Sequence, residues 1–323
     1  MRHLDIQVIE QALEWVRASE QIWLCTVVST YGSAPRSPGA MLVANQNGGF
    51  IGSLSGGCVE EEFLDSIARG ELVEPAQLVR YGDDPQQNRR LKLPCGGVLI
   101  VLVEHRQSTE GWLAHLEQLH AALTGQREVL RHVDLTSGIS CLRALDTHGG
   151  LCVSMSNEQV HIRIGPALRL ILAGLSPVAE FCASFALSIG CEVIACDPRD
   201  EMRNVKIAGV SMQRMLPSVF IANGGCHAAT AVVALTHDPR IDDLALMEAV
   251  NTDAFYIGAM GSRATSAKRA ERLKRIGGLT DAQILRLHMP IGLDLGSKSP
   301  PEIAIAVIAD MLRVYHGKNR QAL

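Results

Sequence analysis

The chain has 323 residues, of which 47% are hydrophobic, so it can bury a sizeable core and is long enough for two domains. Its formal net charge of -4 supplies no general cationic field, which argues against non-specific nucleic-acid binding. The N-terminal residues carry acids inside their apolar pattern, unlike a signal peptide, and no later run approaches the length of a membrane span. The sequence therefore predicts a cytoplasmic protein with no membrane or nucleic-acid partner.

Nine cysteines are distributed along the chain without a CxxC pair and without histidines at zinc-finger spacing. A structural zinc site is therefore not expected. An odd number of cysteines in a chain without a secretion signal favours reduced thiols, most of them small buried hydrophobic residues. A functional cysteine has to be identified by its surroundings.

The first elements in chain order are a helix capped by Asp5, a buried strand at 22–28 and two short apolar strands, around 41–44 and 50–54. Between the long strand and the short ones lies a stretch at 29–39 that is too rich in Gly, Pro and Ser for regular structure. This pattern indicates a functional loop between strands.

A turn with the sequence SGGC, formed by Ser55, Gly56, Gly57 and Cys58, comes next, and three glutamates at 60–62 suit the first turn of a following helix. Backbone N–H groups at such a helix start can hold an anion and favour a thiolate, which makes Cys58 the best candidate for a working cysteine. The neighbouring glutamates oppose thiolate formation. The alternative interpretation is a tight turn that serves packing alone.

A polar stretch at 81–90 leads to LPCGG at 93–97, where Cys95 adjoins two glycines but precedes a strand, so packing and function are equally good interpretations. A strand at 98–103 and a helix at 110–123 follow. Short strands then bring the chain to the predicted domain boundary, which separates residues 1–165 from residues 166–323. These strands lie around 129–133, 141–146, 151–155 and 159–164.

Strands and helices alternate from Leu168 onwards, and this alternation is typical of a doubly wound parallel sheet. The predicted fold class is α/β, with a smaller N-terminal α/β domain followed by a Rossmann-like domain with a doubly wound parallel sheet. The start of the last helix is the best-defined boundary, because Ser299 and Glu302 form a capping box around Pro300.

The segment GLSPVA at 174–179 lies where a dinucleotide-binding fingerprint belongs, between a strand and a helix. Gly174 suits the tight turn and Asp197 ends the next strand, but Ser176 replaces the glycine that lets the backbone approach a pyrophosphate. Conventional NAD(P) binding is therefore not expected. The alternative is a Rossmann-like domain that keeps only an anion-friendly helix terminus.

A second glycine turn contains Gly258, Gly261, Ser262 and Arg263 and opens a basic helix, so it is well placed for a phosphate. The alternative is a solvated helix face balanced by Glu271. Two further pairs are ambiguous: His237–Asp238 is either a site at the sheet edge or a turn, and Cys226–His227 is by default packing or loop structure.

Taken in order, seven segments of the chain resemble the xanthine dehydrogenase accessory family, often called XdhC/CoxI, and the resemblance covers nearly the whole chain. The segments are TVVSTYGSAPRSPGAMLV at 26–43, GSLSGGCVEEEF at 52–63, LPCGGVL at 93–99, DPR at 197–199, ALTHD at 234–238, YIGAMGSRAT at 256–265 and PIGLDLGSKSPPEIAIAVIADML at 290–312.

The resemblance implies a molybdenum-cofactor site at Cys58, as a molybdenum ligand or a sulfur relay, with Gly56 and Gly57 allowing close backbone approach. It also implies that Arg36 faces the cofactor's phosphate. The family usually has a Gly-Ala-Gly-His turn where this chain has Gly174-Leu175-Ser176-Pro177, which weakens nucleotide binding there. The implied partners are an apo-molybdenum hydroxylase, a cofactor-synthesis nucleotidyltransferase and a cysteine desulfurase, and a homodimer is expected.

Three functional hypotheses remain at this point. The first is a chaperone that binds the molybdenum cofactor, as molybdopterin or its cytosine dinucleotide form, and inserts it into xanthine dehydrogenase, aldehyde oxidoreductase or a related hydroxylase. It predicts binding without turnover, and its requirements are phosphate-binding turns, a soft ligand and shielding from water. The others are an NAD(P)-dependent oxidoreductase and a sulfurtransferase that acts through a Cys58 persulfide.

Overall fold

A division after Pro166 separates the chain into two compact units, Leu4–Pro166 and Ala167–Leu323, where the sequence suggested a boundary after residue 165. The computed structural model describes residues 4–31, 36–82, 98–145 and 152–318. Among the described helices, none is long and apolar enough to cross a membrane.

The N-terminal unit contains an antiparallel sheet with the strand order β3-β2-β1-β5-β4 and a smaller antiparallel sheet with the order β7-β6-β9-β8. The helices are α1 (Leu4–Arg17), α2 (Cys58–Ala68) and α3 (Glu110–Thr124). The strands are β1 (Ile22–Tyr31), β2 (Met41–Asn45), β3 (Phe50–Gly52), β4 (Gln77–Tyr81), β5 (Val98–Arg106), β6 (Val129–Asp134), β7 (Ser140–Ala144), β8 (Val153–Met155) and β9 (Gln159–Ile164).

Strand β1 serves two hydrophobic cores, because successive side chains of a strand point to opposite faces of the sheet. Ile22 and Leu24 belong to the core that includes α1, α3 and the smaller sheet. Trp23 and Cys25 belong to a second core, into which α2 packs Phe63. The larger sheet is therefore covered on both faces, and α2 lies on the face opposite α1 and α3.

Helix α1 begins at Leu4, two residues before Ile6, which would be its first residue if Asp5 were the cap. Asp5 lies in the first turn of the helix and not at its cap, and its Oδ1 accepts a hydrogen bond from the backbone N–H of Met41 at 3.4 Å. The prediction of Asp5 as the cap was wrong, because this carboxylate binds the start of β2 instead. Cys95 and its neighbours lie outside the described residues.

The C-terminal unit is a parallel sheet with the order β12-β11-β10-β13-β14-β15, which confirms the predicted doubly wound α/β fold. Its strands are β10 (Arg169–Ala173), β11 (Glu192–Cys196), β12 (Val210–Gln213), β13 (Thr230–Ala234), β14 (Tyr256–Ala259) and β15 (Leu287–His288). Its helices are α4 (Pro177–Ser188), α5 (Pro217–Phe220), α6 (Pro239–Ala249), α7 (Arg263–Arg275), α8 (Asp281–Leu285) and α9 (Pro300–Tyr315).

The strand order places a topological switch point between β10 and β13, because the chain leaves β10 in one direction and returns on its other side. Crevices at such a point, at the carboxyl ends of the strands, are where open α/β sheets bind ligands. The predicted capping box of the last helix is confirmed, with Ser299 at the N-cap and Glu302 returning to it.

Candidate functional site

The Ser-Gly-Gly-Cys turn connects edge strand β3 to helix α2. Gly56 has φ +88°, a conformation that residues with a side chain rarely adopt, and both Gly56 and Gly57 are exposed with no atom within 4 Å of an added Cβ. Cys58 is the first residue of α2, and its side chain lies outside the described part of the structure. The turn thus offers an open backbone surface next to the predicted working cysteine.

The carboxylate of Glu60 fills the inner side of this turn. It accepts hydrogen bonds from the backbone N–H groups of residues 54–57 and from the hydroxyls of Ser53 and Ser55, at distances of 2.8–2.9 Å. Glu60 is the third residue of α2 and is only 6% exposed. The anion held by these N–H groups is therefore supplied by the chain itself.

The hydrogen bonds to Glu60 determine its charge at neutral pH. Burial by itself raises the pKa of Glu60, but the backbone N–H groups of residues 54–57 outweigh that effect and lower the pKa to about 2. Glu60 is consequently ionised at neutral pH and opposes a second negative charge nearby. The sequence suggested that these glutamates occupy the first turn of the helix, but it did not indicate that one of them folds back onto the turn.

Arg36 is half-buried in the loop that precedes β2, and its Nε–H is shielded from solvent without an acceptor among the described residues. Residues 32–35 of the same loop lie outside the described part of the chain. A half-buried guanidinium whose Nε–H lacks an acceptor is a suitable partner for a phosphate or carboxylate. This observation is compatible with the anion-binding role that the family resemblance implies for Arg36.

In the C-terminal unit, Gly174 brings two strand ends together at the switch point. Its φ is +81°, and an added Cβ would lie 2.1 Å from Cγ2 of Thr236, which follows β13. Ser176 is the N-cap of α4 and accepts a hydrogen bond from the N–H of Ala179 at 3.2 Å. As in a Rossmann-like turn, the backbone at Gly174 lies close to the neighbouring strand end and a helix starts directly after the loop. Here a serine is the N-cap of that helix.

Asp197, the candidate cofactor-binding residue at the end of the strand after the fingerprint-like loop, is hydrogen-bonded within the protein. Its Oδ2 accepts hydrogen bonds from the N–H of Leu175 and from Nη2 of Arg199, both at 2.7 Å, and its Oδ1 accepts from the Arg199 backbone N–H and Nε. Burial raises the pKa of Asp197, but these bonds lower it overall. Both carboxylate oxygens thus brace the loop after β10 against the loop after β11.

The second glycine turn divides into a buried and an exposed part. Gly258 lies inside β14, where an added Cβ would lie 2.6 Å from side-chain atoms of Ile291, so its small size is explained by packing. Ser262 caps α7 by accepting a hydrogen bond from Thr265, and Gly261 precedes it. The Arg263 side chain is 89% exposed. Only Gly261, Ser262 and Arg263 are placed where a ligand can reach them.

A buried carboxylate that the sequence analysis did not single out, Asp242, organises the loop after β13. It accepts hydrogen bonds from Thr236, from the backbone N–H of His237 and from Nη2 of Arg269. His237 is exposed and has φ +66°, which is uncommon for a residue other than glycine. In the sequence, only the pair His237–Asp238 pointed to this loop, and it fitted a site at the sheet edge and a simple turn equally well.

Apart from Gly258 inside β14 and Gly261, Ser262 and Arg263 at the start of α7, the predicted site residues that the structure describes lie in two places, one in each unit. The N-terminal group is the turn at 55–57, and Arg36 belongs to the same unit. The C-terminal group joins Gly174, Ser176 and Asp197 at the switch point. Within the described part of the chain, no three His, Cys, Asp or Glu side chains are arranged to hold a metal ion.

The chain thus combines an antiparallel N-terminal unit that carries the Ser-Gly-Gly-Cys turn with a Rossmann-like C-terminal unit. Comparison with protein families gives matches in both units: residues 15–82 match a profile described as the XdhC and CoxI family, and residues 170–311 match one described as the XdhC Rossmann domain. The chain belongs to the XdhC and CoxI family.

Two relatives match along most of their length. An Escherichia coli protein described as the molybdenum cofactor insertion chaperone PaoD is 26% identical, covering 95% of this chain and 87% of the relative. A Bacillus subtilis protein described as a probable subunit of xanthine dehydrogenase is 26% identical over 91% of this chain and 93% of the relative. A crystal structure described as a xanthine dehydrogenase from Bacillus halodurans shares the fold, with a TM-score of 0.72, 22% identity and coverage of 100% of this chain and 98% of that chain.

Proposed function

We propose that this protein is a chaperone that binds the molybdenum cofactor and inserts it into a molybdenum hydroxylase. The observation that carries the proposal is the preformed, exposed turn at Gly56 and Gly57, which leads directly into Cys58 at the start of a helix. Family membership and the relative described as an insertion chaperone support the same function.

The chain's own residues suit such a carrier in specific ways. The missing side chains at Gly56 and Gly57 leave space for a bulky, flat cargo to approach the backbone. Glu60 fixes the turn that leads into Cys58, while its negative charge limits how strongly an anionic cargo is held. Since a carrier must release what it binds, moderate affinity is an advantage. Arg36 supplies positive charge in the same unit.

The finer features of the proposal concern cargo and partners. We propose that the cargo is molybdopterin or its cytosine dinucleotide form, and that the client is xanthine dehydrogenase or aldehyde oxidoreductase. A nucleotidyltransferase that completes the cofactor and a cysteine desulfurase that supplies sulfur are the proposed donors. We place the protein in the cytoplasm, as a homodimer, with Cys58 as a molybdenum ligand or a sulfur relay.

The test is anaerobic quantitation of bound pterin and molybdenum after the purified protein has been supplied with mature cofactor. Wild type is compared with Cys58→Ser and with Cys141→Ser, a matched control because Cys141 is a free, exposed cysteine of the same unit. We expect wild type and Cys141→Ser to bind, and Cys58→Ser to lose most of the cofactor.

The contrary outcomes separate the alternatives. No binding by folded wild type would overturn the chaperone proposal. Equal binding by all three proteins would remove Cys58 from the site. Sulfane sulfur trapped on Cys58 after incubation with a cysteine desulfurase, without retention of cofactor, would favour the sulfurtransferase. An oxidoreductase is disfavoured because both Asp197 oxygens are held by Arg199 and Leu175, and nicotinamide titration would check this.

A further inference from the structure

A cavity in the N-terminal unit lies where the end of β5, the start of α3 and the turn between β6 and β7 meet. Its volume is about 460 Å³, within the range of roughly 300–1,000 Å³ that small-molecule sites occupy. The wall combines hydroxyls, such as those of Thr109 and Ser140, with the flat ring of Trp112 and the side chain of Ile139. This composition suits a ligand with both polar and apolar parts.

The buried charged side chains beside the cavity carry a net positive charge. Glu104 is fully buried. Nη1 of Arg131 lies 2.7 Å from its Oε2, and Nη2 of Arg131 donates to its Oε1 at 2.9 Å. The two charges of this ion pair balance each other, and the hydroxyl of Ser140 also donates to Oε1 of Glu104. Arg106 also donates to Glu104, at 2.9 Å, so two guanidinium groups share one carboxylate. The cluster therefore carries one surplus positive charge, and Arg106 is its member in the cavity wall.

His115 does not change this balance. Burial lowers its pKa, and Arg131 lowers it further, to about 3, so the ring is neutral at neutral pH. Its Nε2 accepts a hydrogen bond from Nε of Arg131 at 3.0 Å, which also requires that this nitrogen be unprotonated. The second histidine of the wall, His105, is stacked on Trp23.

Acidic residues close in sequence do not neutralise Arg106. Asp134 caps its own turn, where its Oδ1 accepts hydrogen bonds from Thr136 and Ser137. Glu110 is exposed in the first turn of α3, and neither carboxylate belongs to the described wall of the cavity. Nη2 of Arg106 also donates to the carbonyl oxygen of Gly138 and to Oγ of Ser140, but neither acceptor carries a charge, so the surplus charge is left for water or for a ligand.

Three further features raise the positive potential. Thr109 is the N-cap of the 15-residue helix α3, whose positive dipole end therefore lies at the cavity. The Nε–H of Arg106 and the Nε1–H of Trp112 are buried donors without an acceptor among the described residues. Both atoms are shielded from solvent, so they add to the potential without contacting the contents of the cavity.

We propose that this cavity binds a small organic anion, a carboxylate or phosphate monoester attached to a flat apolar group. The anionic head lies at Arg106 and the start of α3, and the flat body lies against Ile139 and Pro75, since the Trp112 ring is already covered by the guanidinium of Arg106 and by His115. The site involves neither the turn at Gly56 and Gly57 nor Cys58, so it is a second ligand site that does not depend on the chaperone proposal.

The test uses isothermal titration of the full chain with phenyl phosphate and benzoate, and with benzamide as the neutral counterpart of benzoate. Inorganic phosphate tests whether the flat group matters. The central variant is Arg106→Gln. Its matched control is Arg163→Gln, since Arg163 is an arginine of the same unit that pairs with Glu128 and has a similar exposure, 16% against 15%.

We expect saturable binding of at least one organic anion by wild type and by Arg163→Gln, and binding weaker by about ten- to a hundredfold in Arg106→Gln. Benzamide should bind much more weakly than benzoate. If Arg106→Gln does not fold, Ile139→Trp tests the proposal in its place. Ile139 lies at the exposed rim, so the larger side chain fills the cavity without touching the charge cluster. It should reduce binding as well.

Three results would overturn the proposal. The first is the absence of saturable binding by either organic anion. The second is an equal affinity in Arg106→Gln and Arg163→Gln, or in Ile139→Trp and wild type. The third is equal affinity for inorganic phosphate and phenyl phosphate, which would reduce the site to a non-selective ion contact. No molybdenum cofactor is used, so failure here is distinct from failure of the proposed function.

Discussion

Glu60 stabilises a stretch of backbone that has no regular hydrogen bonding of its own. Residues 54–57 would otherwise leave several N–H groups in need of water, and a single carboxylate satisfies all of them. Hydrogen bonds to a charged acceptor are stronger than those between neutral groups. The turn before Cys58 therefore depends on the charge of a residue that is not itself exposed.

Replacing Glu60 with glutamine should destabilise the protein by about 1–3 kcal/mol at pH 7, because the charged acceptor is lost. The folded pKa of about 2 lies below the ordinary value of 4.5. The contribution of Glu60 is therefore complete above about pH 5 and is lost as the pH falls towards 2. Urea unfolding of wild type and Glu60→Gln at several pH values checks this. The difference between their free energies of unfolding should shrink from pH 7 to pH 3.

Glu61→Gln is the control for this prediction, since Glu61 is exposed in the same turn of α2. It should change stability by less than about 0.5 kcal/mol. A difference between wild type and Glu60→Gln that stays constant between pH 7 and pH 3 would contradict the assigned role of the charge.

At Gly174, both backbone conformation and space require glycine. Gly174→Ala should destabilise the protein by about 2–4 kcal/mol, because its φ is +81° and the new Cβ would lie 2.1 Å from Cγ2 of Thr236. Adding Thr236→Ser removes that methyl group but keeps the hydroxyl that donates to Asp242. The double variant should recover part of the loss, and no recovery in thermal unfolding would argue against the clash.

The sequence predicted single residues well where the signal was local. Gly174 was expected in a tight turn because it follows an apolar strand, and it has that role. Glu60 was placed correctly in a helix, but its function escaped prediction because an acid in a first turn usually faces solvent. Asp242 was overlooked for a related reason, since its partner Arg269 is 27 residues away.

At the scale of elements, the connection between β13 and α6 holds a strained residue. His237 adopts φ +66° because Asp242 binds its N–H and the hydroxyl of Thr236. His237→Gly should therefore raise the free energy of unfolding, by up to about 1 kcal/mol. The same substitution at His316, with φ −87°, should not be stabilising.

Urea unfolding of both glycine variants checks this expectation. A loss of stability in His237→Gly as large as that in His316→Gly would show that the imidazole of His237 makes contacts that outweigh the strain.

Elements with strong periodicity or clear caps were predicted closely. Helix α9 begins at Pro300 as its capping box indicated, and the apolar run at 98–103 forms most of β5. Strands β12 and β15 have four and two residues, too few to show a period, and they exist because neighbouring strands offer hydrogen bonds. Pairing of this kind is not visible in a local pattern.

For the whole molecule, the expected homodimer remains a prediction. Light scattering across micromolar concentrations should give about twice the mass of the 34.9 kDa chain. A single mass of one chain over the whole range would contradict it. Salt should be varied in the same experiment, because a dimer held by charged side chains weakens as ionic strength rises.

The charge cluster of the N-terminal unit shows what sequence patterns do not reveal at this scale. Glu104 and Arg106 end one strand and Arg131 lies in another, with α3 between them in the chain. Each residue by itself resembles an ordinary polar position in a strand. Only the fold brings the three side chains together and gives the cluster one positive charge in excess.

The buried carboxylate of Glu60 bears on how fast the proposed carrier can release its cargo. A loop that closes around its cargo must reopen before the cargo can leave, and opening steps of this kind often limit rates. Here the turn acquires its shape when the chain folds, because Glu60 holds it through hydrogen bonds within the chain and without a ligand. For the proposed carrier, transfer then requires no local refolding, and its speed is set by the encounter with the client.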